Sequence, residues 1–217
     1  MTGAAGAVQV HPGAEIEPGV TIGAGTAIWS GVHVRGPGTS IGADCIIGEK
    51  TYVAYGVRIG DRVKCNAFVY VCTGVSIGDG VLVGAGVVFT NDRHPRATTP
   101  DLARLRPSGP DAHTRPTAVH AGATIGAGSV IGCDLEIGRF AMVGMGSVVT
   151  RDVPAFHLVV GQPARPVAVV CRCGVPVLRF SGAAPPDRAE LDCPACGLRY
   201  RTAAGVVHEL SPPGPPV

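Results

Sequence analysis

Four cysteines near the C-terminal end of the chain have the spacing of a metal site. Cys171 and Cys173 form a Cys-x-Cys-Gly knuckle, and Cys193 and Cys196 form a Cys-x-x-Cys-Gly knuckle. Thiolates at this spacing can close a tetrahedron around zinc, and each glycine lets backbone N–H groups turn toward sulfur. The pattern predicts a zinc-ribbon-like module over residues 169–205 with structural Zn²⁺. Because the first knuckle is one residue short, a metal-free ribbon and a redox-active pair remain alternatives.

A second chemical feature is a cation-rich segment at about residues 90–118, interrupted by five prolines. It contains three aspartates and five arginines, namely Asp92, Asp101 and Asp111, and Arg93, Arg96, Arg104, Arg106 and Arg115. Guanidinium forks match the geometry of phosphate oxygens, so this segment favours an anionic ligand such as a diphosphate. A solvated charged loop is the alternative.

A six-residue period supplies the elements that position these residues. An aliphatic residue, or once Cys or Phe, leads each of 20 hexads: Val10, Ile16, Ile22, Ile28, Val34, Ile41, Ile47, Val53, Ile59, Cys65, Val71, Ile77, Val83, Phe89, Val119, Ile125, Ile131, Ile137, Val143 and Val149. A small or β-branched residue follows four positions later. Each hexad therefore reads as a short strand and a turn, and three hexads make a triangular coil of 18 residues.

The predicted fold is all-β, a left-handed parallel β-helix over residues 8–168. The cation-rich segment protrudes from it as a loop, the zinc-ribbon-like module follows it, and residues 206–217 are predicted to be a disordered tail. A β-sandwich of short strands would not keep a strict period of six. Cys45, Cys65, Cys72 and Cys133 fall within the repeat and are expected to be buried thiols.

Composition restricts the partners. A net charge of +2 and a pI near 8.2 give no basis for nucleic-acid binding. No run of 18 apolar residues predicts a membrane span. The N-terminus lacks the basic and apolar regions of a secretory signal, so the predicted location is cytoplasmic.

Four stretches carry a family resemblance: IGAGTAIWSGVHV, IGEKTYVAYGVRIGDRVK, VVFTNDRHPRA and VVTRDVP…VVGQPAR. Over about residues 8–168 they resemble the hexapeptide-repeat sugar-nucleotide N-acetyltransferases, above all the group that acetylates UDP- or dTDP-linked 3-amino sugars. The segment Phe-Thr-Asn-Asp-x-x-Pro-Arg is the part most specific to that group. The resemblance implies an acetyl-CoA cosubstrate, a nucleotide-linked amino-sugar acceptor, and a homotrimer with active sites between subunits.

The resemblance also implies site residues. Asn91 would lie beside the acceptor amine, with Asp92 next to it. The nucleotide sugar would contact His33, Thr73, Arg93 and Arg96. The cofactor would run along the C-terminal coils, with contacts implied at Gly126, Ala127, Ser129, Gly144, Arg151 and Arg165.

Thr73 is a departure from the group, whose members commonly have Glu at this position. It lies 18 residues before Asn91, so the two should stack in adjacent coils. Losing a carboxylate there leaves the acceptor and the route of the proton open.

Amine acetylation needs orientation, an oxyanion donor and an outlet for one proton. An Asn amide can orient the amine but cannot act as a base. His94 at the loop entry is a candidate proton acceptor, and His120 just past the loop is a comparable one. Direct transfer of the proton from amine to sulfur would need neither.

Three other functions use the same fold. An O-acetyltransferase on a sugar or natural-product hydroxyl would depend more on a general base, and a non-catalytic scaffold would not bind acetyl-CoA. A γ-type carbonic anhydrase is disfavoured, because the Gly-His-x-x-x-x-His repeat that supplies its metal ligands is absent.

Overall fold

The computed structural model describes residues 6–107 and 109–210. Within this part of the chain every regular element is a β-strand, and no membrane-spanning helix is found.

Twenty short strands make up the repeat region, and each ends on the leading residue of a hexad. They are β1 Gln9–Val10, β2 Glu15–Ile16, β3 Thr21–Ile22, β4 Ala27–Ile28, β5 His33–Val34, β6 Ser40–Ile41, β7 Ile46–Ile47, β8 Tyr52–Val53, β9 Arg58–Ile59, β10 Lys64–Cys65, β11 Tyr70–Val71, β12 Val75–Ile77, β13 Leu82–Val83, β14 Val88–Phe89, β15 Thr117–Val119, β16 Thr124–Ile125, β17 Val130–Ile131, β18 Leu135–Ile137, β19 Met142–Val143 and β20 Val148–Val149. The period therefore predicted every strand of this region.

The strands stack into three parallel sheets that form the sides of a triangular prism. Every third strand pairs, giving the orders β1-β4-β7-β10-β13-β16-β19, β2-β5-β8-β11-β14-β17-β20 and β18-β15-β12-β9-β6-β3. Cys65 pairs with Val83 at the expected 18-residue separation, whereas Phe89 pairs with Ile131 because the loop lies between them. The structure thus confirms the parallel β-helix, and its left-handed sense stays a prediction.

The core explains why the hexad has two buried positions. The leading residues, such as Val53, Val83 and Ile131, are fully enclosed. The position four residues later holds a small side chain, often a hydroxyl that donates to a backbone carbonyl. Thr26 Oγ1 lies 2.7 Å from the Gly42 oxygen, and Ser129 Oγ lies 3.1 Å from the Gly144 oxygen. Buried hydroxyls are tolerated here because they are hydrogen-bonded.

The C-terminal module is continuous with the β-helix. β21 (His157–Gly161) pairs in parallel with β19, and β22 (Ala164–Val170) and β23 (Pro176–Arg179) extend the same sheet antiparallel. β24 (Arg188–Asp192), β25 (Arg199–Ala203) and β26 (Val206–Glu209) form a separate antiparallel sheet.

β26 corrects the boundary expected for a disordered tail. Val206 to Glu209 pair with β25, and Glu209 has a side chain that is only 5% exposed. Its carboxylate lies 3.0 Å from Arg139 of the β-helix and 2.9 Å from Arg172 of the first knuckle. Two charge partners stabilise this strand in place. The remainder of the predicted tail, residues 211–217, lies outside the described residues.

Candidate functional site

The protruding loop and the coils beside it enclose a cavity of about 360 Å³. Thr73, Asn91 and Asp92 form its base on the β-helix, and Arg96 and Arg106 line it from the loop. Thr73, Asn91 and Asp92, which the family resemblance implies as site residues, therefore line the same cavity. Asp111 also lines the cavity and shares Arg106 with Asp92, which leaves Arg96 as the arginine without a carboxylate partner among the described residues. The cavity is therefore polar, with one cation available to an anionic group of a ligand.

The Asn91 side chain is held by the preceding coil. Its amide nitrogen donates to the Thr73 backbone carbonyl at 3.3 Å, across the predicted 18-residue register. No hydrogen bond reaches the Asn91 amide oxygen from the described residues, so this oxygen is available to accept one from an amine. Position 73 acts here through its backbone, and any residue at that position would offer the same carbonyl.

Arg106 is a structural centre of the loop that the sequence did not distinguish from its neighbours. Its side chain is 22% exposed, and its guanidinium lies 3.3 Å from the Asp92 carboxylate and 3.5 Å from that of Asp111. A hydrogen bond from the His113 backbone N–H, with a smaller contribution from Arg106, lowers the pKa of Asp111 below its ordinary value. The loop is thereby closed across its two ends, and no periodicity could have singled out this arginine.

Substituting Arg106 by methionine is expected to open the loop, because two adjacent aspartates would lose their shared cation. We expect amide hydrogen exchange at Thr114 and Arg115 to be faster by about tenfold. Arg104→Met, at an exposed arginine of the same loop without an ion pair among the described residues, is the control. Equal exchange in the two variants would contradict the assigned role.

His94 and Arg93 face a different side of the loop. They line a small pocket of about 170 Å³ with His113, Arg115 and Asp134, rather than the cavity that contains Asn91. Arg93 is paired with Asp134 at 2.7 Å. Asp92 borders both pockets, while its carboxylate accepts from the His94 backbone N–H at 2.7 Å. Within one chain, His94 is thus not placed beside Asn91 as a proton acceptor. The His120 imidazole is hydrogen-bonded to the Glu136 carboxylate on the six-stranded sheet.

His33 lies far from the cavity. It is on β5, which lies three coils before β14 in the seven-stranded sheet. At ordinary strand spacing this is about 14 Å along the axis. Its Nε2 is 3.2 Å from Glu17, and its ring meets that of Tyr52 edge-on at 5.5 Å. In a single chain His33 therefore does not join the Asn91 site.

The implied cofactor positions divide between two edges of the prism. Gly126, Ala127 and Gly144 follow strands of the ten-stranded sheet, at a different edge from Asn91. A Cβ at Gly126 would lie 2.4 Å from the Met145 nitrogen, so close stacking of the coils alone accounts for that glycine. Ser129 was wrongly predicted as a cofactor contact, because its hydroxyl is fully buried in the second core position of a hexad.

Arg151 lies on the same edge as Asn91, two coils further on. This edge, which we call the Asn91 edge, contains Thr73, Asn91, Cys133 and Arg151, each two residues after a strand of the seven-stranded sheet. At ordinary strand spacing Asn91 and Arg151 are about 10 Å apart along the axis.

Arg151 and Arg165 both line a groove of about 610 Å³ at the C-terminal end of the β-helix. Most of the remaining lining is apolar, including Val149, Val159 and Phe180. Neither arginine forms an ion pair with a carboxylate in the described ranges, and the Arg165 guanidinium donates to the Ala164 carbonyl at 2.8 Å. An apolar groove with two such cations suits a ligand that combines a flat ring with phosphates.

The four knuckle cysteines converge. Their sulfur atoms lie within 4.8 Å of one another, with Cys171 to Cys196 at 3.4 Å and Cys173 to Cys193 at 3.5 Å. Tetrahedral zinc–thiolate sites have sulfurs about 3.8 Å apart, given bonds of about 2.3 Å. The short first knuckle therefore does not prevent convergence.

Within the cluster, the surroundings favour the thiolate at Cys193 and the protonated thiol at Cys196. Burial raises the pKa of Cys193, but hydrogen bonds from the backbone N–H groups of Ala195 and Cys196, and from the thiols of Cys171 and Cys173, outweigh it and lower the pKa to about 7. The Leu198 backbone N–H lowers the pKa of Cys196, but its hydrogen bond to Cys171, its burial and the other neighbouring thiols outweigh that and raise the pKa to about 12. Burial also raises the pKa of Cys65 in the β-helix to about 12, so that thiol stays protonated. Convergence, rather than a common pKa, thus distinguishes the four knuckle cysteines from the buried thiols of the β-helix.

Two hexapeptide models match the repeat region. The model described as bacterial transferase hexapeptide (six repeats) matches residues 56–91, and the one described as hexapeptide repeat of succinyl-transferase matches residues 38–71 and 116–151. Together with the coil geometry, these matches show that residues 38–91 and 116–151 consist of hexapeptide repeats.

Two curated relatives each match part of the chain. The chain is 46% identical over 94 residues to dTDP-3-amino-3,6-dideoxy-alpha-D-galactopyranose 3-N-acetyltransferase of Aneurinibacillus thermoaerophilus, a match covering 43% of this chain and 45% of that protein. It is 30% identical over 182 residues to the bifunctional protein GlmU of Rubrobacter xylanophilus, covering 69% and 39%. The chain thus spans less than half the length of these curated relatives.

A solved structure agrees on the fold. The UDP-N-acetylglucosamine acyltransferase LpxA of Bacteroides fragilis superposes with a TM-score of 0.60 at 17% identity, covering 75% of this chain and 61% of that one.

Proposed function

We propose that this protein transfers an acetyl group from acetyl-CoA to the amino group of a nucleotide-linked sugar, with a 3-amino sugar as the favoured acceptor. The observation that carries the proposal is the Asn91 cavity, where an unengaged amide oxygen lies beside two arginines. The partial match to a dTDP-3-amino-sugar N-acetyltransferase supports the same acceptor.

In this proposal the residues of the cavity divide two tasks. Asn91 accepts a hydrogen bond from the acceptor amine and orients its lone pair toward the acyl carbon. Arg96 binds the diphosphate of the nucleotide, while Arg106 holds the loop in place through Asp92 and Asp111. Because a neutral amine is already nucleophilic, orientation accounts for most of the rate and a strong base is not required.

The cofactor would be held at the other end of the Asn91 edge. Arg151 and Arg165 would bind its phosphates, and the apolar lining of their groove would contact its base. Acetyl-CoA supplies the activated acyl thioester when bound. Between groove and cavity, Thr90, Gly132 and Thr150 line a shallow furrow of about 480 Å³ along the same edge.

A single chain offers few groups that could accept the proton released by the acceptor amine. His94 lies outside the Asn91 cavity, so we propose that the amine proton passes to the leaving sulfur or to a residue of a neighbouring subunit. A homotrimer is part of the proposal. It is supported by the loop, which exposes Leu102 and Leu105 at 78% and 79% and would bury them against a second copy. Zinc in the cysteine cluster and a cytoplasmic location also remain proposals.

Release of CoA from acetyl-CoA tests the reaction directly. A panel of UDP- and dTDP-linked 3-amino and 4-amino sugars, with the corresponding hydroxyl sugars as controls, is expected to give turnover only with an amine, and best with a 3-amine. Turnover with hydroxyl sugars alone would favour the O-acetyltransferase. The absence of acetyl-CoA binding in calorimetry would favour the scaffold.

A further inference from the structure

The groove beside Arg151 and Arg165 has two walls from different parts of the chain. One wall is the last coil of the β-helix and β22. The other is the start of the segment between β23 and β24, where Phe180, Ser181, Gly182 and Ala183 line the groove. The wall formed by residues 180–183 belongs to the C-terminal module, which the hexapeptide repeat neither contains nor requires.

This second wall is anchored at both ends. Phe180 donates its backbone N–H to the Val167 carbonyl at 3.1 Å, and its ring meets that of His157 edge-on at 6.1 Å. Further along, the Pro186 carbonyl accepts from Thr202 Oγ1 at 2.6 Å, and the Asp187 carboxylate accepts from the Ala204 backbone N–H at 2.9 Å. The segment is thus held in place between the two sheets.

Most of the charged side chains that line the groove are positive. Arg151 and Arg165 contribute two guanidinium groups. Asp152 also borders the groove, but its carboxylate is engaged by the Glu136 backbone N–H at 2.9 Å. A ligand that fits must therefore be anionic at one end and able to pack an apolar face against Val159 and Phe180.

We infer that residues 180–183 of the appended module complete the binding site for the adenosine 3′,5′-bisphosphate end of CoA, opposite Arg151 and Arg165. The inference rests on the proposed function. Arg151 places one side of the groove on the Asn91 edge. Thr150 beside it lines the furrow, which extends along that edge to Asp92 at the border of the Asn91 cavity. The module thus has a binding role in addition to any structural one.

Filling the groove from the module side tests the inference. Ser181 is exposed, so Ser181→Trp should fold while occupying the space between the walls. Titration calorimetry of the full chain with CoA is expected to show binding weaker by at least about tenfold for Ser181→Trp and for Arg165→Gln. Ala203→Trp places the same ring on β25, away from the groove, and should bind CoA as the unmodified chain does.

A fragment of the cofactor separates the possible outcomes. Adenosine 3′,5′-bisphosphate should bind the unmodified chain, compete with CoA, and lose affinity in Ser181→Trp. If CoA binds Ser181→Trp and the unmodified chain equally, or if the bisphosphate does not compete, the inference is overturned and the proposed function stands. If the unmodified chain does not bind CoA, the proposed function and the inference both fail.

Discussion

Replacing Asn91 by alanine is expected to lower the rate of acetyl transfer about 100-fold, because the acceptor amine loses the group that orients it. The affinity for acetyl-CoA should change by less than about twofold, since the groove of Arg151 and Arg165 lies two coils away. Initial rates on the best amino sugar from the panel, together with calorimetry of acetyl-CoA binding, measure the two effects separately.

Asn66→Ala is the matched control for this substitution. Asn66 is also a corner asparagine, but it follows β10 on another edge of the prism. We expect it to leave the acetyl-transfer rate unchanged. If Asn91→Ala keeps full turnover, or if both variants slow equally, Asn91 is not the residue that orients the acceptor.

Removing zinc is the second change with a large expected effect. The module's own core is small, with Phe156, Val169, Tyr200 and Val207 as its buried apolar residues besides Cys171 and Cys193. A structural zinc site contributes on the order of 10 kcal/mol to such a module, more than this core can supply alone. We therefore expect one zinc per chain by elemental analysis, and fast hydrogen exchange across β24 to β26 once a chelator removes it.

Cysteine variants distinguish a metal site from ordinary thiols. Cys193→Ser should abolish zinc binding and release β24 to β26, while the β-helix keeps its slow exchange. Cys45→Ser is the control, because Cys45 occupies the second position of a hexad, where other coils carry Ser or Thr, and its sulfur lies 3.1 Å from the Gly60 carbonyl. A well-folded preparation without metal would show that the cluster is a degenerate ribbon.

Much of the β-helix was predictable because its rule is local. Two side chains in six must point into the core, and a shift of one residue would bury polar groups, so the period alone located all 20 strands. The same register predicted that Thr73 and Asn91 would be neighbours, 18 residues apart. The same rule indicates that Ser129 is buried, because it lies four positions after Ile125, and the prediction of a cofactor contact there did not take this into account.

The loop and the module depended on contacts that no period encodes. Five arginines in the loop are equivalent in sequence, and only the folded path makes Arg106 the one that joins Asp92 and Asp111. His94 is three residues from Asn91 in sequence, yet the turn at Asp92 directs it to another pocket.

The sequence by itself therefore determined the repeat, the pairing of Asn91 with Thr73, and the convergence of four cysteines. In each case a regular spacing acts between near neighbours in sequence, from one coil to the next for Asn91 and Thr73 and between two knuckles 20 to 25 residues apart for the cysteines. Only the tertiary structure decided that Glu209 is buried between Arg139 and Arg172, and that residues 180–183 face Arg151. Those contacts join segments about 30 to 70 residues apart across the end of the helix, where packing and charge pairing, rather than periodicity, select the partners.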